Sequence, residues 1–185
     1  MTDTSELWIE SGYKHFALYG PQNISIEKIA GETGLARTSF YYYFVDLQSF
    51  IDELFYKHLY FAENFKNDIL NTCKNYIPDY IRLIEKYKIQ VLFNKRLADN
   101  SSNPKYLLTF NHVNNIVDNA ALNLWAESFG IKGERNFLMA VYSLLRDSYY
   151  TRISIDNLDY DSIIKNIGEL RETISGIIAS HRYLK

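Results

Sequence analysis

Apolar residues in this chain recur at spacings of three and four along almost its whole length, and that period constrains the fold more than any other feature. Only three prolines occur, at positions 21, 78 and 104, and each falls where the periodic pattern breaks. Gly20, Gly34, Gly130 and Gly133 punctuate it further. No run alternates apolar and polar residues between turn signals, as a half-buried strand would. The pattern predicts an all-α protein. The first helix is expected over about Thr4–Tyr19, stopped by Gly20-Pro21. A short second helix starts on a Ser25 cap and ends at Gly34, and a third covers about Ala36–Phe44. Asp46 can cap a long fourth helix. One or two helices lie between Phe65 and Ala98, broken at Pro78. Others follow over about Pro104–Phe129, Glu134–Ile153 and Tyr160–Tyr183.

With 185 residues, 47% apolar and 23% charged, the chain has the balance of a globular protein able to bury a sizeable core. Its single cysteine, Cys73, leaves no internal disulfide framework and fits a reducing compartment. No stretch approaches the ~18–20 consecutive apolar residues of a membrane helix. The start carries Asp3, Glu6 and Glu10 without a basic residue, unlike a signal peptide. A cytoplasmic location without membrane attachment is the expectation. The histidines at 15, 58, 112 and 181 lie on separate segments, and none stands at metal-ligand spacing from another His or from Cys73. No nucleophile elbow or phosphate loop occurs. Neither catalysis, a cofactor nor a metal is expected.

The segment from Ile26 to Phe44 carries the chemistry. Ala30 and Gly34 have the spacing of a tight helix-turn-helix: a small residue lets two helices approach, and four residues later a glycine takes the turn. Leu35 and Phe40 supply an apolar plug. On the third helix Phe40 and Phe44 define the buried side, which leaves Arg37, Thr38, Ser39, Tyr41 and Tyr42 outward, with Tyr43 at an edge. These types suit a DNA groove. Arginine donates to guanine or phosphate, hydroxyls reach phosphate oxygens, and a threonine methyl can meet a thymine methyl.

At Phe16-Ala17, Gly20, Ser25-Ile26, Ile29-Ala30, Gly34-Leu35 and Ser39-Phe40-Tyr41-Tyr42-Tyr43-Phe44 the chain resembles the tetracycline-repressor (TetR) family of bacterial regulators. The match runs from about Ser11 to Leu54. The resemblance implies a helix-turn-helix DNA-binding domain over residues 1–47 and a larger helical effector-binding and dimerisation domain over 48–185. It implies DNA contacts from Arg37, Thr38, Tyr41 and Tyr42, a phosphate-facing Ser25 cap, and a mainly structural Tyr43 and Phe44. It also implies a homodimer that binds a palindromic operator, as a probable repressor, and is released by an unknown small-molecule effector. Leu47 and Ala36 depart from the family pattern, which usually has a basic residue and a serine cap at those places.

In the C-terminal part, Tyr160, Ile163, Ile167, Leu170, Ile174, Ile177 and His181 form one seam with spacings of three and four. The preceding helix offers Tyr142, Leu145 and Tyr149. By the resemblance these two helices pair with their copies in a dimer; packing within one subunit is the other reading. The helix after Pro104 mixes apolar residues with a dense set of asparagines, which are poor helix-interior residues. Asn111, His112 and Asn114 are candidates for a polar pocket lining, and Tyr87, Phe93, Phe110, Trp125, Tyr142 and Tyr149 for its aromatic walls. A solvated asparagine-rich face beside an ordinary aromatic core accounts for the same pattern.

Charge supplies a rival. The total of −2 hides a net −4 in residues 1–62, where four basic residues meet eight acidic ones. Phosphate neutralisation provides most non-specific DNA affinity, so the alternative is a ligand-binding or protein-interaction helical dimer whose helix-turn-helix has lost DNA binding.

Overall fold

The computed structural model describes the backbone of residues 4–182 and the side chains of residues 4–172. Among the described residues every regular element is helical and no strand occurs. The helices are α1 (Thr4–Tyr19), α2 (Ile26–Thr33), α3 (Arg37–Tyr43), α4 (Leu47–Thr72), α5 (Ile81–Lys86), α6 (Lys88–Asp99), α7 (Pro104–Phe129), α8 (Arg135–Tyr150) and α9 (Tyr160–Arg182). The break expected at Pro78 is real but elaborate. α4 ends at Thr72, and one wide turn over Tyr76–Tyr80 leads into α5. Ile77 there is extended (φ −114°, ψ 122°), and the Asp79 carboxylate accepts from the backbone N–H groups of Lys74 and Asn75, both at 2.9 Å.

Local chemistry explains the helix ends. Asp46 and Ser49 cap the start of α4 reciprocally: Ser49 N–H donates to Asp46 Oδ1 at 2.7 Å, and Asp46 N–H donates to Ser49 Oγ at 3.1 Å. Asp159 caps α9 by accepting from Ser162 N–H at 2.9 Å. The last turn of α1 holds no basic residue. Arg96 of α6 supplies one instead, donating to the carbonyls of Ala17 and Leu18 at 3.3 and 2.7 Å.

The chain divides into two compact units, Met1–Asn64 with Ile89–Asn114, and Phe65–Lys88 with Asn115–Lys185. This differs from a division at residue 47, because α6 and the first part of α7 belong with the N-terminal helices. The first unit has an aromatic core. Phe93 stacks on both Tyr13 and Phe16, with ring centroids 4.4 and 4.0 Å apart. Phe50 approaches α1 so closely that a Cβ on Gly12 would lie 2.2 Å from its ring, so only glycine fits there.

A buried polar chain crosses this core. Tyr13 donates its hydroxyl proton to His58 Nδ1 at 2.7 Å, His58 Nε2 faces Asn94 Oδ1 at 3.3 Å, and Asn94 Nδ2 donates to Asn114 Oδ1 at 2.9 Å. Burial pushes the His58 pKa down to about 4, so the ring is neutral at pH 7.

The second unit packs Ile69, Tyr76, Tyr80, Ile81, Trp125, Tyr142, Ile163 and Leu170 inside. Its buried Asp118 is paired with Arg146, as a buried carboxylate requires. Among the described residues, no helix is long and apolar enough to cross a membrane.

Candidate functional site

α2 and α3 are joined by a three-residue turn, and each end has a local cause. Ser25 is extended (φ −135°, ψ 124°), and its Oγ accepts from Lys28 N–H at 3.3 Å. Gly34 takes the left-handed conformation (φ 71°) that a side chain would resist. Ala36 starts α3 without a side-chain cap.

The inner side of α3 is clamped. Phe40 is fully buried, edge-on to Trp8 at 5.2 Å and to Phe50 at 5.3 Å, and Phe44 is buried beside Phe50. The outer side is correspondingly bare. Arg37 and Thr38 are exposed, Tyr41 is 60% and Tyr42 82% exposed. Val45, at the end of this face, is 88% exposed. The tyrosine rings contact their own helix, Tyr41 edge-on to Phe40 at 5.3 Å and Tyr42 edge-on to Tyr43 at 4.9 Å, so their outer faces form an exposed aromatic patch on a short, well-anchored helix.

Three of the expected contact residues are already engaged. Ser39 is half-buried. Its Oγ accepts from the buried Trp8 Nε1 at 3.1 Å and donates to the Ala36 carbonyl at 2.7 Å. It fastens α3 to α1 and has little left for a groove. Ser25 Oγ donates to Glu27 Oε2 at 3.0 Å, and Arg37 donates to Glu27 Oε1 at 2.6 Å. Glu27 therefore ties the start of α2 to the start of α3. Its own backbone N–H, the Ser25 hydroxyl and the Arg37 guanidinium hold its carboxyl below the usual range. Next to this face, Ser5, Ile9, Tyr43, Phe44, Val45, Ser49 and Glu53 line an open hollow of about 320 Å³.

The nine residues expected around a pocket divide between the two units. Phe93, Phe110 and Asn114 are buried in the first, whereas Asn111 and His112 are exposed on α7 and lie on no buried wall. On a 26-residue helix packed along one side, residues 111 and 112 point away from the side that carries Phe110, Val113 and Asn114. Asn114 lies at the end of the buried polar chain, and its Nδ2 has no partner.

In the second unit Trp125 and Tyr142 are buried, and Tyr87 and Tyr149 are half-buried. Tyr87 donates to Asp68 at 2.9 Å. Around Tyr142 the structure gathers two tyrosines that periodicity did not single out. Tyr76 and Tyr80 stack at 4.7 Å, and Tyr142 donates to the Tyr80 hydroxyl at 3.4 Å. Burial pushes all three phenols up, so they stay neutral donors. The Tyr149 hydroxyl beside them is buried without a hydrogen-bond partner.

Of the seam residues, Tyr142, Ile163 and Leu170 are buried within their own chain and are not available to a second copy. Leu145, Tyr149 and Ile167 are half-exposed, and Leu144, outside the expected set, is 52% exposed. Ile174, Ile177 and His181 lie outside the described side chains. Among the described residues, no group of three His, Cys, Asp or Glu side chains is placed to hold a metal ion.

Comparison with protein-family models, with curated proteins and with solved structures finds no match for this chain.

Proposed function

We propose that the chain is a homodimeric, ligand-responsive transcription regulator resembling the TetR family, in which α3 reads the major groove of a palindromic operator. The observation that supports this most is the two-sidedness of α3. Phe40 anchors one side in the core, and Arg37, Thr38, Tyr41 and Tyr42 stand together on the other. In a helix-turn-helix the N-terminal residues of the second helix meet base edges, and two copies read half-sites one turn apart, ~34–36 Å. The phenol cluster of Tyr76, Tyr80, Tyr142 and Tyr149 is the reading for the effector. Apolar ring faces with convergent hydroxyls, one of them unpartnered, suit a small molecule bearing acceptor groups. Such a ligand acts by favouring one separation of the two recognition helices over another.

The test is a fluorescence-anisotropy titration against DNA from upstream of the chain's own coding sequence, at low and physiological salt. Binding that falls at least about ten-fold in Arg37→Ala, as the loss of a bidentate base contact would give, and that also weakens in Tyr42→Ala is the expected result. Binding that is weak, and equal for random DNA, points to the second reading. That reading, a protein-interaction dimer, is favoured by the acidic N-terminal part and by the Glu27–Arg37 pair, which occupies the only arginine of α3.

A further inference from the structure

We propose that Glu27 limits the DNA affinity of this face, because its carboxylate occupies the donors that a backbone phosphate would need. This inference rests on the DNA-reading proposal above and names the residue that tunes that site. At the start of α2 and α3 the groups able to donate to an anion include Arg37, Ser25 and the exposed Lys28, and the first two share one partner. Both donate to the same carboxylate, one to each oxygen, at 2.6 and 3.0 Å. The second role of Ser25, accepting from Lys28 N–H, is also taken. A phosphate taking the same Arg37 Nη2 and Ser25 hydroxyl must displace a carboxylate that already presents an oxygen to each, and one using the other guanidinium nitrogens meets that carboxylate's charge beside it.

The displacement is feasible because the pair is exposed. Both side chains are 59% accessible, and exposed ion pairs are weak in water. Glu27 is thus a modest competitor and not an absolute block. Two effects follow. Breaking the pair subtracts from the binding energy. An arginine already paired with a carboxylate also adds less net positive charge at the phosphates, so fewer counterions condensed on the DNA are released and the salt dependence of binding is shallower than the count of basic residues implies. Once displaced, the carboxylate stays at the same helix end and repels the phosphate that replaced it.

The test is a double-mutant cycle read by fluorescence anisotropy. It uses the full chain, a labelled duplex from upstream of its own coding sequence, and a random duplex of equal length. Glu27→Gln keeps an acceptor for the Ser25 hydroxyl and removes the charge. It is expected to raise affinity about three- to five-fold at low salt and to steepen the slope of log K against log salt by about 0.9. In an Arg37→Ala background the same substitution is expected to change affinity less than about two-fold. Glu53→Gln, which removes an equal charge from the exposed start of α4, serves as the control, with circular dichroism checking that each variant is folded.

Equal gains in the two Arg37 backgrounds, a matching gain in Glu53→Gln, or no gain at all would overturn the proposal while leaving DNA reading intact. If neither the parent chain nor Glu27→Gln binds either duplex at low salt, the DNA reading itself fails and takes this inference with it.

Discussion

His58 shows how much a single side chain can depend on neighbours far along the chain. Its partners Tyr13 and Asn94 are 45 and 36 residues away, and together they keep a neutral imidazole inside an aromatic core. Its folded pKa of about 4 lies below the ordinary value of 6.5. The unfolded chain therefore takes up the proton first as pH falls. The stability tied to this group is complete above about pH 6.5 and is lost as pH drops towards 4, a total of ~3 kcal/mol. Urea unfolding between pH 7 and 4 should show that loss, and His58→Gln should flatten the curve over the same window. A variant whose pH slope equals the parent's would show that the imidazole is not buried neutral. Ser39 makes the same point for the candidate site. It reads outward on a helical wheel, yet the indole N–H of Trp8, 31 residues earlier, claims its hydroxyl.

At the level of elements, helix boundaries were legible because capping acts within a few residues of the cap. Ser25, Gly34, Asp46 and Pro104 all stand where their chemistry ends or starts a helix. The aromatic side of α3 was legible for the same reason, since Phe40 and Phe44 are four residues apart on one helix. The wide turn over Tyr76–Tyr80 was less so, because a proline marks a break without specifying what the chain does next. α3, like α5 and α8, starts without such a side-chain cap. Its first residue is preceded by Ala36, extended at φ −70° and ψ 132° and without a side-chain acceptor. Ala36→Ser should add a cap worth about 0.5–2 kcal/mol. The gain should appear as a higher urea midpoint with an unchanged m-value.

For the whole molecule, the last helices carry the question of assembly. The seam on α9 reads as one continuous strip in the sequence, but Ile163 and Leu170 are buried inside the second unit, as Trp125 and Tyr142 are. What α8 offers outward instead is Leu144, with Leu145 and Tyr149 partly exposed beside it. If α8 pairs with its copy, Leu144→Glu should convert dimer to monomer in size-exclusion chromatography with light scattering, with helix content unchanged. A Leu144→Glu protein that stays dimeric would remove this face of α8 from the interface. Charge also acts at this scale. A net −4 over residues 1–62 predicts that any DNA binding relies on few phosphate contacts, so its affinity is modest and the slope of log K against log salt is shallow.

The sequence by itself determined the helical class, the helix ends that capping or glycine marks, and most of the outward face of α3. Each follows from periodicity and capping, which operate within one or two turns of the chain. Only the tertiary structure decided which polar groups are free. Glu27 meets Arg37 across the turn, Trp8 takes the Ser39 hydroxyl, and four tyrosines from two segments converge on one another. Such pairings depend on which helix lies beside which. A side chain that one helix presents as available can be bound by a neighbour dozens of residues away, and no local rule contains that neighbour.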